Sequence, residues 1–251
     1  MIDKFAFLIT TFDQVDNVLF QIESIRKNFT SLNNNKIIII SSDQNFDLKI
    51  SDDKNIYIES PDFIGNTELS KINNADDYKT WKTSFQVKRI LSQIQYGVNI
   101  AYNENISYCL HYHSDTFLSP YFENTLIKEI ELLNDFAMIS CLSEDCENQK
   151  TLPFGIHLHT ELIHLNLKKC HEIGYCFKFD NIFLDDKFKS HNYNSISALF
   201  GQYMHYCLTG KNILKYTDPV SDYYYKNVRP RSIRPAHGMF NFGVYNSPIP
   251  Q

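Results

Sequence analysis

Between Tyr108 and Leu118 the chain reads YCLHYHSDTFL, an apolar stretch that ends in two histidines and an aspartate. Alternate residues of an extended strand share a face, so His111, His113 and Asp115 project to one side. An imidazole nitrogen and a carboxylate oxygen two residues apart suit one divalent cation of hard or borderline character. Held beside a diphosphate, such a cation neutralises charge that builds on the leaving oxygens as a bond breaks. That effect accelerates a reaction because it acts on charge present only in the transition state. His111 lies deeper in the strand than His113 and reads first as a hydrogen-bonded core histidine.

The segments that must position these residues alternate between strand and helix. Phe5–Thr10 is a continuous apolar run, the pattern of a strand covered on both faces. Val15, Val18, Leu19, Ile22, Ile25 and Phe29 fall on one helical face, with Thr11 or Asp13 available as cap. Lys36–Ser41 carries four consecutive isoleucines and predicts a second buried strand, and Asn55–Glu59 a shorter third. Trp81, Phe85, Leu91 and Ile94 line up as a second long helix after Asp76 and Asp77. The strand Ile106–His113 follows, then a helix started by Ser119-Pro120, and then a strand over Phe136–Leu142. Further on, Ile156–Leu167 reads as a strand or hairpin, and Ile196, Leu199, Phe200, Tyr203 and Cys207 as a late helix. This order predicts an α/β fold, a mostly parallel sheet with helices on both faces. Such sheets bind ligands outside the carboxyl ends of their strands, where the HSD tripeptide falls.

The bulk composition narrows the function. With 43 % hydrophobic and 21 % charged residues, the 251-residue chain is expected to fold into an ordinary globular core. A net charge of -5 argues against nucleic acid as a partner and against a general pull toward anionic membranes. No stretch approaches the roughly 18 apolar residues of a transmembrane helix, which leaves only peripheral membrane contact. Six cysteines without a CxxC pair read as reduced thiols, and the expected location is cytoplasmic. Absence of a linker, repeat or low-complexity tract favours a single domain over 1–251.

The order FAFLITTF, helix, IIIISSD, helix, YCLHYHSDTFL resembles the nucleotide-binding half of a glycosyltransferase A domain. In that superfamily a short acidic motif, Asp-any-Asp, ends a central strand and holds manganese or magnesium; here the matching tripeptide is His113-Ser114-Asp115. The resemblance implies a GT-A-like (Rossmann-like) fold, with residues 1–140 as the nucleotide-sugar-binding half and 141–251 as the acceptor side and tail. It implies a nucleotide diphosphate sugar donor and a glycan, lipid-linked or protein acceptor, with hexosyl or N-acetylhexosaminyl transfer as the activity. Thr10 and Thr11 would sit beside the nucleoside, and Asp43 would meet the base or ribose. Lys82, Arg89 and Ser114 would touch the donor, and His113, Asp115 and His237 would hold Mn2+ or Mg2+. Asp180, Asp185 and Asp186 are the candidate bases for an acceptor hydroxyl. Three arginines, Arg229, Arg231 and Arg234, precede His237 and could clamp a diphosphate with it.

Two other readings use the same residues. His111-x-His113-x-Asp115 also matches the start of the zinc-binding HxHxDH motif of metallo-β-lactamases, although Thr116 stands where its last histidine belongs. The altered acidic tripeptide also admits a nucleotide-sugar-binding relative without turnover.

Overall fold

The run Phe5–Thr11 forms strand β1 at the centre of the molecule, and all seven of its residues are buried. The computed structural model describes residues 4–49, 53–62, 87–114, 116, 118, 122–142, 158–172 and 213–214. Helix α1 (Val15–Asn28) follows β1, then β2 (Lys36–Ser41) and β3 (Ile56–Glu59). Helix α2 (Val87–Asn103) leads into β4 (Tyr108–His113), and helix α3 (Phe122–Leu132) into β5 (Met138–Leu142). Strand β6 (Leu158–Asn166), helix α4 (Leu167–Glu172) and the two-residue β7 (Ile213–Leu214) complete the described elements. The late helix over Ile196–Cys207, the Ser119-Pro120 helix start and the C-terminal arginines lie outside the described residues.

The strands form one sheet in the order β3-β2-β1-β4-β6-β5-β7. β1 pairs in parallel with both β2 and β4, and β2 with β3. β6 runs antiparallel to its neighbours β4 and β5, while β5 and β7 are parallel. Where the sequence left a strand or hairpin up to Leu167, the chain instead forms a strand that ends at Asn166. The Asn166 side chain stops it: its oxygen accepts from Lys169 N–H at 2.9 Å, capping α4, and its amide donates to Leu133 O at 2.7 Å.

The period of two divides the core between the sheet's faces. Phe5, Phe7, Ile9, Ile37, Ile39, Leu110 and Tyr112 pack in one cluster with Val18, Ile22 and Ile25 of α1 and Leu126 and Ile130 of α3. The other parity, represented by Ala6, Leu8, Ile38, Ile40 and Cys109, is covered by α2 and α4. Glu123, at the start of α3, ties the first layer together. Its buried carboxylate accepts from Thr30 N–H (2.9 Å), Thr30 Oγ1–H (3.0 Å), Ser31 N–H (2.6 Å) and Leu32 N–H (3.0 Å), closing the exit of α1.

On the second face α2 approaches β1 closely at Gly97. A methyl group there would lie 2.2 Å from Leu8 Cδ1, and Leu8 is fully buried. Gly97→Ala is therefore expected to cost about 1–3 kcal/mol of unfolding free energy in urea titrations, through overpacking. A neutral or stabilising result would mean that α2 stands further from the sheet.

Between α3 and β6, His164 Nδ1 lies 3.1 Å from Glu129 Oε2, and both side chains are almost entirely enclosed. Burial pushes the His164 imidazole down to about 3. The unfolded chain takes up this proton near pH 6.5 and the folded chain does not, so stability falls as pH drops from 6.5 toward 3. The group's share approaches about 1.4 kcal/mol per pH unit. His164→Gln should flatten the pH dependence of urea-derived stability over that range. An unchanged slope would mean that the histidine is already protonated against Glu129.

Candidate active site

From β1 the chain runs outward through β2 and β3, then returns through α2 to β4 on the other side of β1. The connections leave β1 and β4 in opposite directions, the arrangement at which open α/β sheets place a ligand crevice outside the carboxyl ends of their strands. Three strand ends border it: Thr10, Thr11 and Phe12 after β1, Ser41 to Asp43 after β2, and His113 and Ser114 after β4.

Thr10 and His113 are register partners across the β1–β4 pair. Thr10 is buried, and its Oγ1 lies 2.9 Å from Nε2 of the fully buried His111. The two histidines of β4 therefore differ. His111 is turned inward to Thr10, whereas His113 is half-buried at the tip and packs edge-on against His111 with ring centroids 5.4 Å apart. His113 Nε2 is enclosed and has no hydrogen-bond partner among the described residues. A buried polar atom left in that condition calls for an explanation, and a ligand is one.

Thr11 is also buried. Its carbonyl accepts from Ser42 N–H at 3.0 Å and from Gln93 Nε2–H at 2.6 Å, while its Oγ1 has no partner among the described residues. The second hydrogen bond of Gln93 goes to Ile40 O at 3.1 Å, so one amide from α2 grips the ends of β1 and β2. Asp43 turns the chain after β2, its Oδ1 accepting from Asn45 N–H at 3.0 Å and its own N–H donating to Ser41 Oγ at 3.0 Å.

Arg89 stands one turn before Gln93 on the same line of α2. Its Cζ sits 5.0 Å from the centroid of the exposed Phe12 ring. Burial lowers its pKa, the cost of keeping a guanidinium away from water. A cation in so dry a place acts strongly on any anion brought close to it.

Ser114 begins a tight turn closed by Thr116 N–H donating to His113 O at 2.9 Å. Ser114 N–H donates to Thr10 O at 2.9 Å, and its Oγ–H to Gln14 Oε1 at 2.6 Å. From the α1 side, the buried Gln21 donates through Nε2 to His113 O (3.1 Å), Ser114 O (2.7 Å) and Thr116 O (2.6 Å). Three acceptors around one atom identify it as the nitrogen of the amide.

No protein-family model and no curated protein matches the sequence. Among solved structures, the chain is similar to an active-site mutant of LgtC, at 12 % identity and a TM-score of 0.53, over 90 % of this chain and 84 % of that one. The fold is the glycosyltransferase A fold. Weaker likenesses are the galactosyltransferase LgtC with donor and acceptor sugar analogues (11 %, TM-score 0.47, 79 % of this chain and 70 % of that one) and the glycosyltransferase GlyE in Streptococcus pneumoniae TIGR4 (11 %, TM-score 0.44, 85 % and 45 %).

Within the glycosyltransferase A fold, Thr10, Thr11, Asp43, Arg89, His113 and Ser114 come together at one edge of the sheet. Lys82, Asp115, Asp180, Asp185, Asp186 and His237 lie outside the described residues. Among the described residues no group of three or more histidine, cysteine, aspartate or glutamate side chains could hold a metal ion. The sheet flanked by helices is not the β-sandwich that an HxHxD zinc hydrolase requires.

Sequence reasoning passed over Gln21, Gln93 and Phe12. The signal for the glutamines was present, because each is a polar residue inside the buried stripe of its helix and so needs an internal partner. Gln93→Met keeps the volume but removes both donors. The Thr11 carbonyl keeps the bond from Ser42 N–H, so the expected loss is about 1–2 kcal/mol in urea titrations. No loss would show that the two strand ends do not depend on the amide.

Proposed function

We propose that the chain transfers a sugar from a nucleotide diphosphate donor to an acceptor hydroxyl, assisted by Mn2+ or Mg2+ held by His113, Asp115 and His237. What supports this reading is the topology that brings the carboxyl ends of β1, β2 and β4 together, with His113 Nε2 enclosed at the tip of β4 and without a hydrogen-bond partner among the described residues. A neutral imidazole nitrogen is a suitable donor for a borderline divalent metal, so the one member of the ligand set that is described fits such an ion. When bound, the metal would supply Lewis-acid neutralisation of the leaving diphosphate.

The chain's own groups have distinct tasks in this reading. The Thr10–Thr11 end of β1 and Asp43 after β2 form the nucleoside side, where Phe12 offers an exposed ring face. Arg89, with Lys82, sets positive charge toward the phosphates, and Ser114 lines the donor. During transfer the bond from the anomeric carbon to the diphosphate oxygen breaks, and one from that carbon to the acceptor oxygen forms. In an inverting enzyme, Asp180, Asp185 or Asp186 takes the hydroxyl proton. The acceptor is a glycan, a lipid-linked sugar or a protein side chain, and hexosyl and N-acetylhexosaminyl groups both suit the reading. We assign the protein to the cytoplasm, with contact to a membrane limited to its surface. No helix among the described residues is long and apolar enough to cross one.

A thermal-shift screen of uridine and guanosine diphosphate sugars, with and without manganese, tests this. Near-saturating donor should raise the unfolding temperature by about 5 °C. The metal-dependent part should vanish in Asp115→Ala and shrink in His113→Ala. Slow release of free nucleoside diphosphate without acceptor is expected as well. A wild-type response in Asp115→Ala would remove the metal assignment, and binding without any turnover would make the protein a binding module.

A further inference from the structure

We infer, on the transfer reading above, that Gln93 of α2 and Ser41 of β2 are the positioning residues of the Phe12 ring, which they hold as a fixed stacking platform for the base of the donor.

Phe12 is the first residue beyond β1, and its ring side is 37 % exposed. A residue so placed is ordinarily mobile, because the sheet no longer binds its backbone. Here both of its flanking peptide groups are fastened from inside the molecule. The Thr11 carbonyl belongs to the peptide bond that leads into Phe12. It accepts from Gln93 Nε2–H at 2.6 Å and from Ser42 N–H at 3.0 Å. The Phe12 carbonyl, on the peptide bond that leads out, accepts from Ser41 Oγ–H at 2.5 Å. Gln93 is 4 % exposed and Ser41 is fully buried, so neither donor can follow a moving loop. With both peptide planes set, only the side-chain torsions of Phe12 remain free.

Arg89 restrains those torsions. Its guanidinium carbon lies 5.0 Å from the ring centroid, within the range of a cation–π contact. One helical turn separates Arg89 from Gln93, so a single line of α2 holds both the ring and the peptide that carries it. The ring is thus set at the carboxyl edge of the sheet before any ligand arrives. A base that stacks on it does not bear the cost of ordering it. One residue earlier, Thr11 Oγ1 is enclosed and has no hydrogen-bond partner among the described residues. That is a second sign, at the same strand end, of a place completed by a ligand.

The test is calorimetric titration of the full chain with UDP and with GDP, manganese added. Phe12→Ala should weaken binding of the better nucleotide about tenfold, the worth of one base on an aromatic ring. Gln93→Met leaves the ring but frees its peptide, and it should weaken binding about fivefold. The double variant separates positioning from a merely structural role. If Gln93 acts through the ring, Phe12→Ala with Gln93→Met binds no worse than Phe12→Ala alone. Ser41→Ala, which frees the second peptide, carries the same cycle should Gln93→Met fail to fold. Wild-type affinity in Phe12→Ala or in a folded Gln93→Met overturns the inference alone, as do losses that simply multiply in the double variant. No binding of either nucleotide by the wild-type chain removes the transfer reading and the inference with it.

Discussion

Where parallel strands end, the sheet stops supplying partners to its own carbonyl groups, and buried carbonyls must find donors elsewhere. In this protein two side-chain amides meet that requirement from opposite faces. Gln21 of α1 takes the carbonyls of the turn after β4, and Gln93 of α2 takes those at the ends of β1 and β2. Everything that gives the crevice its chemistry stands on these three chain ends. Their positions relative to one another depend on two helices that do not themselves line the crevice, Arg89 apart.

The line of α2 that faces β1 shows how closely this is built. Arg89, Gln93, Gly97 and Ala101 recur every fourth residue, one above another on a helical face. The first three meet, in turn, the ring of Phe12, the carbonyl of Thr11 and the side chain of Leu8 deep in the sheet. The charged member lies at the edge, the amide at the strand end, and the smallest at the closest approach. The absence of a side chain at Gly97 lets the helix come near enough for Gln93 to reach a strand carbonyl at 2.6 Å. Packing in the interior and polar order at the edge are therefore one constraint.

Most of the sheet was legible in the sequence because strands buried on both faces lose their alternation and stand out as apolar runs. Phe5–Thr11 and Lys36–Ser41 are such runs, and their parallel pairing follows from the helix between them. The reversal of β6 was not legible, since a strand pattern reads the same in either direction. Its end at Asn166 depends on a cap and a contact with Leu133 that periodicity does not encode. At the candidate site, the HSD tripeptide could be placed at a strand end from polarity alone. The glutamines behind it were passed over, because counting apolar positions treats a polar residue in the stripe as noise.

His111 and His113 show how far side-chain parity can go. Both belong to one strand face and both are histidines, so spacing assigns them the same chemistry. Depth separates them. One step of two residues along β4 is about 6.6 Å, enough to move from the interior to the rim. At His111 that places a ring nitrogen beside the hydroxyl of Thr10, and the imidazole is absorbed into the core. His113 forms the last register pair of β4 with β1, opposite Thr10, and its Nε2 is left without a partner among the described residues. The difference between a structural histidine and a candidate ligand is thus set by depth along β4, where Thr10 meets the inner ring, a property of the sheet that neither residue carries in itself.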